Sequence, residues 1–186
     1  LVLIPRGQAI IGYIPSNFDA QAARKDPAIV WSGTPPRRQE LSSFWIDVIE
    51  VTRSAYAECV DAGVCSAARC APGSAIDDAR THAAVPDELV SSLPQTCVTF
   101  QQAERYCEFR GQRLPTEAEW ELASRGPIGA RYPWGEEAID DIPLGLIPAE
   151  WSKAEPSFFG ALGMGISAFE WVNEVYEPDA ALMPLI

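Results

Sequence analysis

The sequence predicts a loop-rich α+β fold with short strands, about three helices and much coil. Three observations carry this. Sixteen prolines and thirteen glycines in 186 residues interrupt the chain often. The apolar runs near the N-terminus have only strand length. Three later segments each open on a capping threonine and close on a glycine. With 47% hydrophobic and 22% charged residues the chain is globular, and its length suits a single domain, taken as residues 1–186, with a core of its own.

"LVLIPRGQAIIG" predicts two short apolar strands around a Pro-Arg-Gly turn. Residues 13–38 are polar and irregular. "QELSSFWIDVIEVT" resumes a strand pattern, with Leu41, Phe44 and Ile46 expected in the core. Thr52 caps a first helix to about Asp61, with Gly63 just past its end; Ala55, Tyr56, Cys59 and Val60 share one face. Residues 66–96 are expected to form a long loop. Thr99 with Gln102 is a capping box for a second helix, which Gly111 stops. Phe100, Ala103 and Cys107 are its expected inner stripe.

The third helix opens in "RLPTEAEWELASRG", where Thr116 is the N-cap and Glu119 its capping-box partner. Glu117 and Glu119 complement the helix dipole in the first turn, and Arg125 does so in the last. Trp120 falls at the fourth helical position and faces back toward Leu114-Pro115. Capping leaves Arg113, Trp120 and Glu121 unexplained, together with "YPWGEE" around Trp134. Residues 127–163 are mostly irregular, and "MGISAFEWVNEVY" reads as a strand or a turn-rich segment around Trp171.

The net charge of −12 repels phosphate backbones, which excludes nucleic acid as a partner. No apolar run reaches the roughly 20 residues of a spanning helix. The chain opens without Met, so an upstream segment is expected to have been removed or left out. The cysteines are Cys59, Cys65, Cys70, Cys97 and Cys107, none in a CxxC. Disulfides in an oxidising, extracytoplasmic compartment are expected, with one thiol left over. His82, alone in a polar loop, is expected to be solvated, as are the adjacent acids Asp140 and Asp141.

"GQRLPTEAEWELASRG" followed by "RYPWGEE" resembles the formylglycine-generating enzyme, or sulfatase-modifying factor, family. "LVLIPRGQAIIG", "FWIDVIEVTRSAYAECV", "QTCVTFQQAERYCEFRG" and "GALGMGISAFEWVNEVY" support the resemblance in the right order, from Leu1 to about Tyr176. It implies an α+β domain related to C-type lectin folds. Active members oxidise a sulfatase cysteine to formylglycine with copper and oxygen, relatives use non-haem iron, and others bind or scaffold proteins.

Copper chemistry needs two neighbouring thiolates to hold Cu(I). In the family that pair follows the Trp-Glu-Trp segment, in a block this chain does not carry; no cysteine follows Cys107. Iron needs several histidines, and His82 is alone. The family's calcium sites lie around the Trp-Glu-Trp segment. Here Gly163, Ile166 and Ser167 replace the expected Asp, Gly and Asn, and Phe169 replaces the first Trp. Glu170 remains as the candidate calcium ligand, against a need for six to eight oxygens. The resemblance also implies disulfides between Cys59 and Cys65 and between Cys97 and Cys107, each contributing on the order of 2–3 kcal/mol. Cys70 is then the odd one.

Arg113, Glu117, Glu121 and Trp134 allow two readings, a polar rim to a substrate groove or an architectural cluster. In the second, Arg113 pairs with a carboxylate while Trp120 and Trp134 fill the core. The expectation is the architectural one, in a non-catalytic domain that serves as a binding or structural subunit among other protein chains. The alternatives are a copper-dependent oxidase whose cysteine pair lies beyond Ile186, and a lectin-like ligand-binding module.

Overall fold

The structure, a computed structural model, describes residues 1–12, 36–70, 85–137, 146–148, 156–165 and 167–174. His82, Asp140, Asp141 and Ile166 lie outside the described residues.

Among the described residues four short strands form two antiparallel pairs. β1 (Val2–Ile4) pairs with β4 (Phe44–Ile46), and β2 (Gly7–Ile11) pairs with β3 (Arg37–Leu41). Ile4 faces Phe44 and Gly7 faces Leu41, so one register runs through both pairs. The result is a single long ribbon interrupted at Pro5-Arg6 and, opposite, at Ser42-Ser43. Pro5 has no N–H to give to a ladder, which accounts for the break. Beside it, Arg6 forms an exposed ion pair with Glu40 at 2.6 Å.

The three helices begin where their caps place them. α1 (Arg53–Asp61) is capped by the Thr52 hydroxyl, which accepts from the Ala55 N–H at 3.2 Å. α2 (Phe100–Phe109) and α3 (Glu117–Arg125) both have complete capping boxes, from Thr99 with Gln102 and from Thr116 with Glu119. Gly126 ends α3 at φ 71°, a conformation that glycine takes without a Cβ penalty.

The expected loop of residues 66–96 contains a 3₁₀ helix, Asp87–Ser92, and a fully buried Leu93. Two backbone bonds hold this segment against the start of α1: Arg53 N–H to Leu93 O at 2.9 Å and Gln95 N–H to Val51 O at 2.7 Å. Six residues of 3₁₀ helix carry too little periodicity to announce themselves.

The main core joins Ile4, Ala9 and Ile11 of the ribbon to Ala118, Leu122 and Ala123 of α3, with Ala161 and Met164 closing it; Leu41, Phe44, Ile46 and Trp120 pack around it. A second core gathers Tyr56, Cys59, Cys65 and Tyr106 between α1 and α2. The inner stripe of α2 differs from expectation. Tyr106 is its buried residue, while Phe100, Ala103 and Cys107 are half-buried. Tyr106 lies 5.6 Å from the Tyr56 ring, and this aromatic contact sets the rotation of α2 on α1.

The cysteine pairing corrects one expectation. Cys59 is bonded to Cys65, but Cys97 is bonded to Cys70, leaving Cys107 as the free thiol. The reason is geometric. Cys97 precedes the cap Thr99, whereas Cys107 lies two turns into α2. At 1.5 Å per residue those turns carry it roughly 12 Å from the cap, well beyond the spacing a disulfide spans. Cys70 reaches Cys97 with a Cα separation of 4.7 Å.

Candidate functional site: an acidic, aromatic-walled cleft beside the α3 motif

The motif that opens α3 is built from two guanidinium–carboxylate pairs. Arg113 makes a two-pronged contact to Glu119, 2.7 Å on each side. Glu119 also accepts the Thr116 N–H at 2.9 Å, so one carboxylate serves both the cap and the pair. The Arg113 contact holds the Glu119 carboxyl below its ordinary value. The Glu117 N–H donates to Glu174 at 2.9 Å, and Asn173 N–H donates to Pro115 O at 2.8 Å. These bonds dock the Trp171 segment onto the helix start.

The second pair lies deeper. Glu121 and Arg125 are in contact one turn apart, both largely buried. Glu121 receives the Gly12 N–H on both oxygens, at 2.8 and 3.0 Å. Arg125 donates to Ala130 O at 2.6 Å, Gly129 O at 2.8 Å and Gly12 O at 3.2 Å. Burial pushes the Glu121 carboxyl up, while the Gly12 N–H and Arg125 pull it down. This clamp ties the end of β2 to α3 and to the turn after it. Sequence reasoning gave Arg125 only a dipole role, although the Glu-to-Arg spacing of four was a visible signal.

The two tryptophans part company. Trp120 packs on the main core. Its indole N–H is buried without a hydrogen bond of ordinary geometry, within electrostatic reach of Glu170. Trp134 is not a core residue. It stacks flat on Tyr132 at 5.2 Å and donates to Glu137 O at 3.0 Å on the surface. "YPWGEE" is a tight turn closed by Tyr132 and Gly135, and the turn holds the ring outside the core.

On the other side of Arg113–Glu119 a cleft of about 700 Å³ opens. Its walls are Phe44, Trp45 and Ile46 of β4, Tyr56 of α1, Tyr106 and Cys107 of α2, Met164, and the Phe169–Trp171 segment. Phe169 is fully exposed and Trp45 is 62% exposed. Trp171 is held by its indole N–H to Val98 O at 3.0 Å and by an edge-on contact with Phe100.

The charged lining is mostly carboxylate: Asp47, Glu50, Glu119 and Glu170, with Arg113 at the rim. Glu50 accepts the Ala168 N–H at 3.1 Å. A Cβ on Gly163 would stand 2.6 Å from a Glu50 oxygen, so the glycine is what admits this carboxylate. Burial raises the Glu50 carboxyl, against the Ala168 N–H and Ser167. Glu170 is a solvent-exposed residue of the cleft wall, and crowding by the surrounding protein pushes its carboxyl up to about 7. Desolvation comes first, then the Glu50 charge and, more weakly, Asp47, with the Trp120 indole opposing. Water reaching Glu170 through the open mouth moderates that desolvation. Burial, with the charges of Asp47 and Glu104, pushes the Cys107 thiol up to about 11. A thiol held that high is protonated at neutral pH and a weak nucleophile.

The family model for the sulfatase-modifying factor enzyme 1-like domain matches residues 1–181. The chain belongs to that family. A formylglycine-generating enzyme of Thermomonospora curvata is 45% identical over 67 residues, covering 36% of this chain and 18% of that protein. An inactive C-alpha-formylglycine-generating enzyme 2 of Mus musculus is 34% identical over 104 residues, 46% of this chain and 33% of that one. A hercynine oxygenase of Mycolicibacterium smegmatis is 27% identical along the whole chain, which spans 48% of its length. The chain thus spans less than half the length of these relatives. These relatives therefore include a formylglycine-generating enzyme, an oxygenase and a protein called inactive.

The residues present do not suit the family's copper. Cu(I) needs a pair of thiolates, and this chain's five cysteines are two disulfides and one protonated thiol. Among the described residues no group of three His, Cys, Asp or Glu side chains is placed to hold a metal ion. Sequence reasoning missed Asp47, Glu50 and the cleft itself. Glu50 stands two residues before the α1 cap, where nothing local marks it as facing Glu170 far along the chain.

Proposed function

We propose that this domain works by binding a protein partner, as a non-catalytic module of a larger extracytoplasmic assembly. The observation that carries this reading is the state of the cysteines. Four are tied into disulfides and the fifth is alone, so this chain offers no pair of thiols for copper. The disulfides also support an oxidising compartment. The relation to C-type lectin folds, and a calcium role for Glu170, rest on the family resemblance and belong to this proposal.

Similarity to a named formylglycine-generating enzyme favours one rival, an oxidase whose cysteine pair lies beyond Ile186. Anaerobic titration with Cu(I) against a chromophoric chelator separates the two, followed by oxygen uptake with a cysteine-containing sulfatase peptide. The binding reading expects no tight copper and no peptide-dependent oxygen uptake. One copper per chain with uptake that depends on the peptide overturns it. Titration with calcium, read by thermal melting, tests the Glu170 site in the same preparation.

A further inference from the structure

Cys97 is, among the described residues, the one residue other than glycine with a positive φ, at 60°. The left-handed region strains a residue that carries a Cβ, and it persists only where surrounding bonds hold it. Here the bonds are the Cys70–Cys97 bridge and the Arg69 N–H, which donates to Cys97 O at 3.3 Å. Gln102 adds a second tie, its side-chain amide donating to Ser66 Oγ at 2.9 Å. Residues 66–70 are thus stapled to the entrance of α2.

The two bridges differ in access. Cys59 and Cys65 are buried in the second core, whereas Cys70 and Cys97 are both half-buried. A recess of about 350 Å³, lined by Ser66, Ala67, Arg69, Cys97, Thr99 and Gln102, opens beside the second bridge. It gives an incoming thiolate a path that the core denies to Cys59–Cys65, and a reachable bridge on strained backbone is the labile kind. The bridge also borders the cleft. Val98, the next residue, lines the cleft, and its carbonyl accepts the Trp171 indole N–H at 3.0 Å. Thr99 then caps α2, and Phe100 meets the Trp171 ring edge-on at 6.0 Å.

Resting on the binding reading above, we infer that Cys70–Cys97 is a thiol–disulfide exchange site that sets the state of the cleft, with a protein dithiol as its reaction partner. The partner's thiolate bonds to Cys70 Sγ, the Sγ–Sγ bond breaks, and the electron pair leaves on Cys97 Sγ. Arg69 and the start of α2 share the recess with Cys97 and favour that thiolate. The partner's second thiol then attacks its own mixed-disulfide sulfur, and Cys70 leaves as the second thiolate. The partner ends as a disulfide, while Cys70 and Cys97 take up its two electrons and two protons and end as thiols. With the bridge open, Cys97 leaves the left-handed region, the Val98 carbonyl turns with it, and the Trp171 wall loosens. The oxidised chain holds the cleft in its binding shape and the reduced chain does not.

The test uses the full chain, with dithiothreitol as the dithiol. The chain is equilibrated at graded ratios of reduced to oxidised reagent, alkylated with a light label, then denatured, reduced and alkylated with a heavy one for mass spectrometry. Cys70 and Cys97 are expected to open at a ratio at least about tenfold lower than Cys59 and Cys65. At a ratio that opens only this bridge, amide exchange at residues 98–102 and 169–171 is expected to rise at least about fivefold, while β2 and α3 stay within about twofold of the oxidised chain. C70S/C97S should show the same pattern without reductant; if that variant does not fold, the selectively reduced native chain carries the test. Two bridges that open together, or Cys59–Cys65 opening first, overturn the inference. So does unchanged exchange at residues 98–102 and 169–171. An equal rise in β2 and α3 marks a bridge that only stabilises the domain, and overturns it too. The copper titration is made on the oxidised chain and none of these results alters it, so failure of the exchange site is distinguishable from failure of the binding reading.

Discussion

Arg125→Met removes the guanidinium from the Glu121 clamp while keeping most of the side chain's apolar volume. The buried Glu121 carboxylate then retains the Gly12 N–H and loses its cation, while Ala130 O, Gly129 O and Gly12 O lose a donor. Breaking a buried pair from one side costs about 3–5 kcal/mol, because the remaining charge stays buried. For a domain whose total stability is on the order of 5–15 kcal/mol, this is a large fraction. With a urea slope of about 2 kcal/mol per molar, the unfolding midpoint should fall by roughly 1.5–2.5 M. Adding Glu121→Met removes the orphaned charge and should recover part of the loss; the Gly12 N–H then lacks its acceptor, which keeps the recovery incomplete. Urea unfolding followed by tryptophan fluorescence reads both variants. A loss below about 1 kcal/mol for Arg125→Met would refute the claim that the clamp holds β2, α3 and the following turn together.

Four further outcomes rest on other contacts of the structure. The Glu170 carboxyl, raised from 4.5 to about 7, binds more protons in the folded state between those values, so stability should fall as pH rises through that window. The full shift is discounted for water in the open cleft to about 1 kcal/mol, and Glu170→Gln should flatten that slope in thermal melts. Glu119 has the opposite sign: its depressed value adds stability above about 4.5 that is lost as pH falls through the folded value, so Arg113→Gln should weaken the acid limb of the same curve. Gly126→Ala brings a Cβ to 2.8 Å from Phe158 Cγ at φ +71°, and should cost about 1–3 kcal/mol by urea titration even if Phe158 swings away. Thr116→Ala should cost about 1 kcal/mol and speed amide exchange at the first turn of α3.

Local chemistry was legible in the sequence and long-range pairing was not. Thr52, Thr99 and Thr116 announce their helices because a cap and its partners lie within one turn. The Arg113–Glu119 pair follows from the same short range. The ribbon's partners were not readable, since β1 and β2 each pair with a strand far along the chain. Cys107 was assigned to a disulfide and Cys70 left over because relatives suggested pairs; the rise of α2, which separates Cys97 from Cys107, decides otherwise. The cleft was invisible for a related reason. Glu50 and Glu170 lie 120 positions apart, and Gly163, which reads as a lost calcium ligand, is the residue that lets Glu50 in.

The binding reading rests on this chain having no thiol pair to offer copper. Alkylation of the unreduced protein, followed by digestion and mass spectrometry, tests it most directly. One labelled cysteine is expected, Cys107, labelled fully only after unfolding, with cross-linked peptides joining Cys59 to Cys65 and Cys70 to Cys97. Two or more labelled cysteines in the native protein, or a Cys97–Cys107 cross-link, would contradict it.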